Sequence, residues 1–170
     1  CGVENNSSAT LQEFNKGASV RDSYKAIKLL NDNDIFSHAM FVIGNRKDTR
    51  DSIEQLRRFS IDLGSDFVIY TALTPFPGTV LFERLKKEGR ILTEEWDRYT
   101  YANVVFKPKN MTKEELFNGT RKVAKQYYSL KNILKRTIKT IQNTKSLYVA
   151  YYVLQRNLRY RERFKNQFDF

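Results

Sequence analysis

Apolar residues recur along the first 110 positions in two alternating rhythms, one of period two and one of helical period. The opening GVE reads as the end of a strand, followed by a polar stretch at 5–8. Ser8 is a candidate helix cap ahead of Leu11 and Phe14, because a serine hydroxyl accepts a free amide of the first turn. Ser19 is a second candidate, ahead of VRDSYKAIKLLND, where Val20, Tyr24, Ile27 and Leu30 share one helical face. After a turn at 31–34, the apolar run IFSHAMFVIG predicts a strand ending at Gly44. Asp48 or Thr49 then starts a helix with Ile53, Leu56, Phe59, Ile61 and Leu63 toward a core, closed by Gly64. DFVIYTAL is rich in β-branched and aromatic residues and predicts a buried strand. TPFPGT is a rigid turn, since Pro75 and Pro77 fix φ, and VLFERLKKEG is a short helix closed by Gly89.

This order predicts the α/β class, with parallel strands joined by crossover helices. A closed eight-stranded barrel needs about 250 residues. Three strand–helix units therefore make part of a (β/α) barrel or of an open sheet. After Trp96 the pattern changes. Residues 93–110 read as an extended crossing segment, with YANVVFKPKN as the place for one more short strand. Thr112 and Glu115 have capping-box spacing. Over 113–142 a stripe of Leu116, Val123, Tyr127, Leu130, Leu134, Ile138 and Ile141 predicts a helix. A weak break falls at 143–144, and a second helix over about 146–163 carries Leu147, Ala150, Tyr151, Leu154 and Leu158 on one side. The expected organisation is 1–92 as the α/β part, 93–110 as the crossing segment and 111–170 as a helical C-terminal region.

Charge sharpens that division. The net charge is +11 over 170 residues. Residues 111–170 hold 14 Lys and Arg against 4 Asp and Glu, whereas 1–110 hold 16 against 15. Basicity concentrated in helices suits a packed hairpin with a solvated face, an anionic membrane surface or nucleic acid. Lys and Arg are interleaved there with Tyr127, Tyr128, Tyr148, Tyr151, Tyr152 and Tyr160. Such interleaving serves base stacking and interfacial anchoring alike; packing is the first expectation, membrane contact the second and nucleic acid the last. No apolar run approaches the roughly 20 residues of a membrane span. No secretory signal is legible, so the expected location is cytoplasmic, with peripheral membrane contact as the variant. The one cysteine, Cys1, and the one histidine, His38, exclude a Cys-rich zinc site, a self-contained iron–sulfur site and a multi-histidine metal site within these residues. The sequence begins with Cys rather than Met, which suggests a processed chain or a piece of something longer.

In parallel α/β folds the ligand site lies at the carboxyl ends of the strands. Three segments leave strands at that edge: GVENNSS, IGNRKDT and LTPFPGT. Their order, with NKG after GVE and with GRILTEEWDRY, VVFKPK and MTKEEL downstream, resembles the C-terminal half of the radical SAM superfamily core. The branch it most resembles often carries a cobalamin-binding domain and includes anaerobic cyclases and methyltransferases. The similarity runs over about residues 1–130, and TPFPGTVLFERLKKEGRI is its most specific stretch.

The resemblance implies S-adenosylmethionine (SAM) as a ligand. Glu4 matches the polar residue after the fourth strand that contacts the ribose or amino acid moiety of SAM. Lys16, twelve residues on, matches the basic residue that pairs with the SAM carboxylate. Val42, Ile43 and Gly44 match the end of the fifth strand, and Leu73, Thr74 and Pro75 the end of the sixth, both beside adenine. His38 lies inside the fifth strand, where a buried, hydrogen-bonded histidine is the default reading and a substrate contact the second. GNRKDT stands where the family pattern is closer to G-x-P-G-E-T, so this loop needs another way to hold its path. The resemblance further implies a 4Fe–4S cluster and, as an option, cobalamin, both bound outside this chain. Cys1 falls within the fourth-strand match and is no cluster ligand. The partners implied are the N-terminal half of the same parent protein and a small-molecule or lipid-like substrate. The expected activity of the whole is reductive SAM cleavage driving radical chemistry or cobalamin-assisted methyl transfer, with these residues alone inactive. The alternative is a non-catalytic α/β module that binds an anionic membrane or nucleic acid through its basic helices.

Overall fold

A computed structural model describes residues 1–168. Three strands, β1 (Gly2–Glu4), β2 (His38–Ile43) and β3 (Phe67–Ala72), form one parallel sheet in the order β1-β2-β3. Between them run α1 (Ser8–Glu13), α2 (Val20–Asp32) and α3 (Arg50–Asp62); α4 (Val80–Lys87) follows β3. A single 3-10 turn at Trp96–Arg98 and an antiparallel bridge between Ile91 and Phe106 organise the crossing segment. The C-terminal region holds α5 (Lys113–Tyr127), α6 (Leu130–Thr144) and α7 (Leu147–Phe168). The class is therefore α/β, with a small parallel sheet and seven α-helices among the described residues.

The helix starts follow their capping residues. Ser19, Thr49 and Thr112 each accept a hydrogen bond from the third helical amide, while the side chain of that third residue reaches back to the cap amide. At α1 the cap is Ser7, one residue before the serine that the pattern favours. Periodicity correctly marks α5 but runs it on into α6. The helix in fact breaks at Tyr128, and Ser129 caps α6 by accepting from the Asn132 amide. No glycine or proline marks this break, so apolar spacing carries straight across it.

The sheet has two different faces. Ala39, Phe41 and Ile43 of β2 and Val68, Tyr70 and Ala72 of β3 are buried in one core with Ile53, Leu56 and Phe59 of α3 and Leu116, Val123 and Tyr127 of α5. Alternate residues point the other way, and Met40, Val42, Ile69 and Thr71 stay partly open. A parallel sheet normally has both faces covered. Here the second face looks into a cavity.

The two edges of the sheet also differ. On the β3 edge the Tyr128 hydroxyl accepts from the Val68 amide at 3.0 Å and donates to the Val68 carbonyl at 2.7 Å. Above it the Ala72 amide donates to the Tyr101 carbonyl, and below it the Tyr127 hydroxyl donates to the Ser65 carbonyl. Side chains and loop thus take the place of a further strand. β1 is the opposite edge, and among the described residues no strand pairs with its outer side.

Candidate ligand site at the carboxyl edge of the sheet

The candidate site starts from an irregularity. β1 is paired with β2 through Gly2 and Met40, then through Glu4 and Phe41, so two residues of β1 step against one of β2. A bulge of this kind turns a strand and re-aims a side chain. Glu4 leaves the strand with φ of 64°, a left-handed conformation that costs a non-glycine residue about 1 kcal/mol. Its carboxylate turns over the preceding backbone and accepts from Lys16 Nζ at 2.9 Å.

Lys16 reaches that position through a second left-handed residue. Leu11 anchors α1 in the protein interior, Asn15 takes φ of 56°, and the Lys16 amide closes back on the Leu11 carbonyl at 2.9 Å. This is the hydrogen-bond pattern of a helix terminated by a left-handed residue. It reverses the chain and returns Lys16 toward β1. Gly2 forms the floor under the pair. A β-carbon there would lie 2.8 Å from Lys16 Nζ and would run into the Glu4 carboxylate, so a larger residue would push the two charged ends out of this position.

Glu4 lines a cavity of ≈ 820 Å³ on the open face of the sheet. Its floor is Met40, Val42, Ile69 and Thr71, alternate residues of β2 and β3; Tyr101 comes from the crossing segment, and Tyr160, Arg163 and Phe164 from α7. The residues expected beside a ligand divide. Glu4 and Val42 line the cavity, and Lys16 is held against Glu4. Ile43 and Gly44 are buried on the helix side, where a β-carbon at Gly44 would lie 2.7 Å from Leu116. Leu73 packs against the core, its amide bonded to the Ile43 carbonyl, and the Thr74 hydroxyl donates to the Ala72 carbonyl. Pro75 is buried. The period-two alternation of the strands contained the signal for Met40, Ile69 and Thr71, whereas the α7 residues enter only through tertiary packing.

The β2 loop, lacking the Pro-Gly turn, is held by a buried carboxylate. Asp48 accepts from the amides of Gly44 at 2.7 Å and Asn45 at 3.0 Å, and from the Ser52 hydroxyl. Burial nonetheless raises its pKa, those bonds only partly opposing it. A raised folded-state pKa means that this contribution to stability is full below the ordinary carboxylate range and fades as pH rises through the folded value. Asp48→Asn is expected to cost about 1 kcal/mol at neutral pH, because the amide nitrogen cannot accept the bond that the Ser52 hydroxyl donates. The gap to the unmodified protein should widen in acid, and denaturant unfolding at the two pH values checks it.

His38 sits at the far end of β2, half-buried, with its ring edge-on to Phe67 and Tyr160. Burial lowers its pKa, and its Nε2 has no partner among the described residues. It is packed among aromatic rings, not hydrogen-bonded through that nitrogen.

The donor set suits the amino acid end of SAM. An ammonium pairs with a carboxylate, a carboxylate accepts from an ammonium or from ribose hydroxyls, and the adjoining floor is apolar. It does not suit an iron–sulfur cluster: Cys1 is exposed and alone, and among the described residues no three His, Cys, Asp or Glu side chains group as metal ligands.

Residues 79–166 match the family described as a domain of unknown function, DUF4070, and the chain belongs to that family. It is 30% identical over 130 residues to the anaerobic magnesium-protoporphyrin IX monomethyl ester cyclase of Cereibacter sphaeroides, covering 76% of this chain and 21% of the relative. It is 30% identical over 137 residues to an uncharacterized methyltransferase of Pyrococcus horikoshii, covering 81% and 30%. A bacteriochlorophyllide d C-12(1)-methyltransferase of Chlorobaculum tepidum is 29% identical over 136 residues, covering 79% and 29%. The chain thus spans between a fifth and a third of the length of these relatives. They are a cyclase and methyltransferases, the enzyme classes named by the resemblance, and the chain is related to the C-terminal part of radical SAM enzymes of the branch that often carries a cobalamin-binding domain.

Proposed function

We propose that this chain is the SAM-binding C-terminal part of a radical SAM enzyme, and that its sheet is the last portion of a partial (β/α) barrel. In this reading residues 1–92 belong to the barrel, 93–110 cross it and the later helices close it. The observation that carries the proposal is the Glu4–Lys16 pair, built over Gly2 at the carboxyl edge of a parallel sheet, with Glu4 opening on the cavity. Lys16 would hold the SAM carboxylate, Glu4 the ribose hydroxyls or the ammonium, and the ends of β2 and β3 would flank adenine. When bound, SAM supplies the adenosyl or methyl group to be transferred. The chain's own task is to orient it: the ion pair fixes charge at one end, and the apolar floor excludes water around the rest.

The N-terminal half of the parent protein would bring the cluster, and a cobalamin domain where one is present, to the open β1 edge. The substrate would be a small molecule or lipid-like, and the residues of α7 that reach the cavity would take part in choosing it. The test is to incubate the full-length, cluster-loaded protein with SAM and a strong one-electron reductant, then separate the nucleosides. The expected products are 5′-deoxyadenosine or demethylated SAM. A loaded protein that leaves SAM intact with and without candidate substrates contradicts the reading.

A further inference from the structure

The α6–α7 hairpin leaves an aliphatic row on its outer side. The side of α6 that faces the protein carries Ile133, Thr137 and Thr140, and the two threonine hydroxyls satisfy themselves on their own helix by donating to the carbonyls of Ile133 and Arg136. Three of its aliphatic residues face solvent: Leu130 is 62% exposed, Leu134 58% and Ile138 46%. The expected packing of this stripe on the sheet is therefore not what the fold shows. On α7 likewise Leu147 is 74% and Tyr151 60% exposed, while Ala150, Val153 and Asn157 are buried. Spacings of four place Leu130, Leu134 and Ile138 on one face. Large apolar side chains gathered on an outer face mark an interaction surface.

Beside this stripe run Lys131 and Lys135 at the same period, whereas the next lysine, Lys139, turns its Nζ toward Gly64 after α3. Neither Lys131 nor Lys135 makes an ion pair among the described residues. From residue 130 to 168 the sequence holds ten Lys and Arg and one Glu. We propose that this face of the hairpin docks on an anionic lipid bilayer, with the aliphatic row at the acyl boundary and the two lysines on the headgroup phosphates. Long lysine stems can lie along the apolar layer while their ammonium groups stay in water, and a helix of this make-up lies in the interface plane. A second copy of the chain would oppose like charges across the contact. The α6 row has no ring for base stacking, and the exposed rings of Tyr148 and Tyr151 lie on α7, so nucleic acid suits the aliphatic row less well.

The test uses the full-length protein carrying this chain in co-sedimentation with phosphatidylcholine vesicles, with and without phosphatidylglycerol. Binding is expected only with phosphatidylglycerol, and to weaken as salt rises. Leu134→Glu with Ile138→Glu should reduce it about tenfold or more, and so should Lys131→Ala and Lys135→Ala together. The lysine variant leaves the apolar row intact, so it remains informative if the glutamates disturb folding. Equal binding to neutral vesicles, or binding unchanged in both variants, overturns the proposal. So does a dimer that Leu134→Glu dissolves, or an oligonucleotide bound more tightly than the vesicles.

Discussion

Tyr128→Phe is expected to destabilise the protein by about 3 kcal/mol, since it strips the partner from two buried backbone groups at once. The Tyr128 hydroxyl both accepts from the Val68 amide and donates to the Val68 carbonyl, in the middle of the β3 edge. Phenylalanine keeps the ring and its stacking on Tyr160 and Phe164, so the change isolates the hydroxyl. Burial raises the Tyr128 pKa well above the ordinary tyrosine range, which keeps the donor proton in place throughout the neutral range. Tyr160→Phe is the control, because the Tyr160 hydroxyl makes no hydrogen bond among the described residues; its expected cost is within about 0.5 kcal/mol. Denaturant unfolding of the two variants reads the difference directly. Equal stabilities would mean that the β3 edge is not sealed by this side chain.

The second large effect is on ligand affinity. Glu4→Gln and Lys16→Met are each expected to weaken SAM binding by about tenfold to a hundredfold, the worth of one charge-assisted hydrogen bond. Both positions are partly open to solvent, and their pair is a partly screened one, so little stability should be lost. That separation between affinity and stability distinguishes a ligand-holding pair from a merely structural ion pair. Equilibrium binding of SAM to the full-length protein, with thermal unfolding in parallel, supplies both numbers. A change in affinity below about twofold in either variant would remove that residue from the site.

Much of the order of elements is written in the local pattern. Ser19, Thr49 and Thr112 announce their helices because capping is a contact within one turn of chain. β2 and β3 stand out because a period of two and a concentration of β-branched and aromatic residues rarely coincide elsewhere. What a face meets is not local. Periodicity groups Leu130, Leu134 and Ile138 correctly but is silent on whether they turn inward, and the threonines of the opposite face take the inner place. The same limit hides Tyr128, whose role depends on a strand sixty residues earlier.

The candidate site divides along the same line. The family resemblance marks Glu4 and Lys16 separately, each as a contact to SAM. The device that joins them, left-handed turns at Glu4 and Asn15 above a bare Gly2, appears only in three dimensions. Val42 was legible as a strand-end residue and does line the cavity. The contribution of α7, through Tyr160, Arg163 and Phe164, depends on where a C-terminal helix lands and had no sequence signal.

The most direct measurement is a crystal structure of the full-length protein with SAM bound. The account predicts the SAM carboxylate within hydrogen-bonding distance of Lys16, the ribose or ammonium on Glu4, and adenine against the ends of β2 and β3. SAM bound elsewhere, with the Glu4–Lys16 pair still closed on itself, would contradict it.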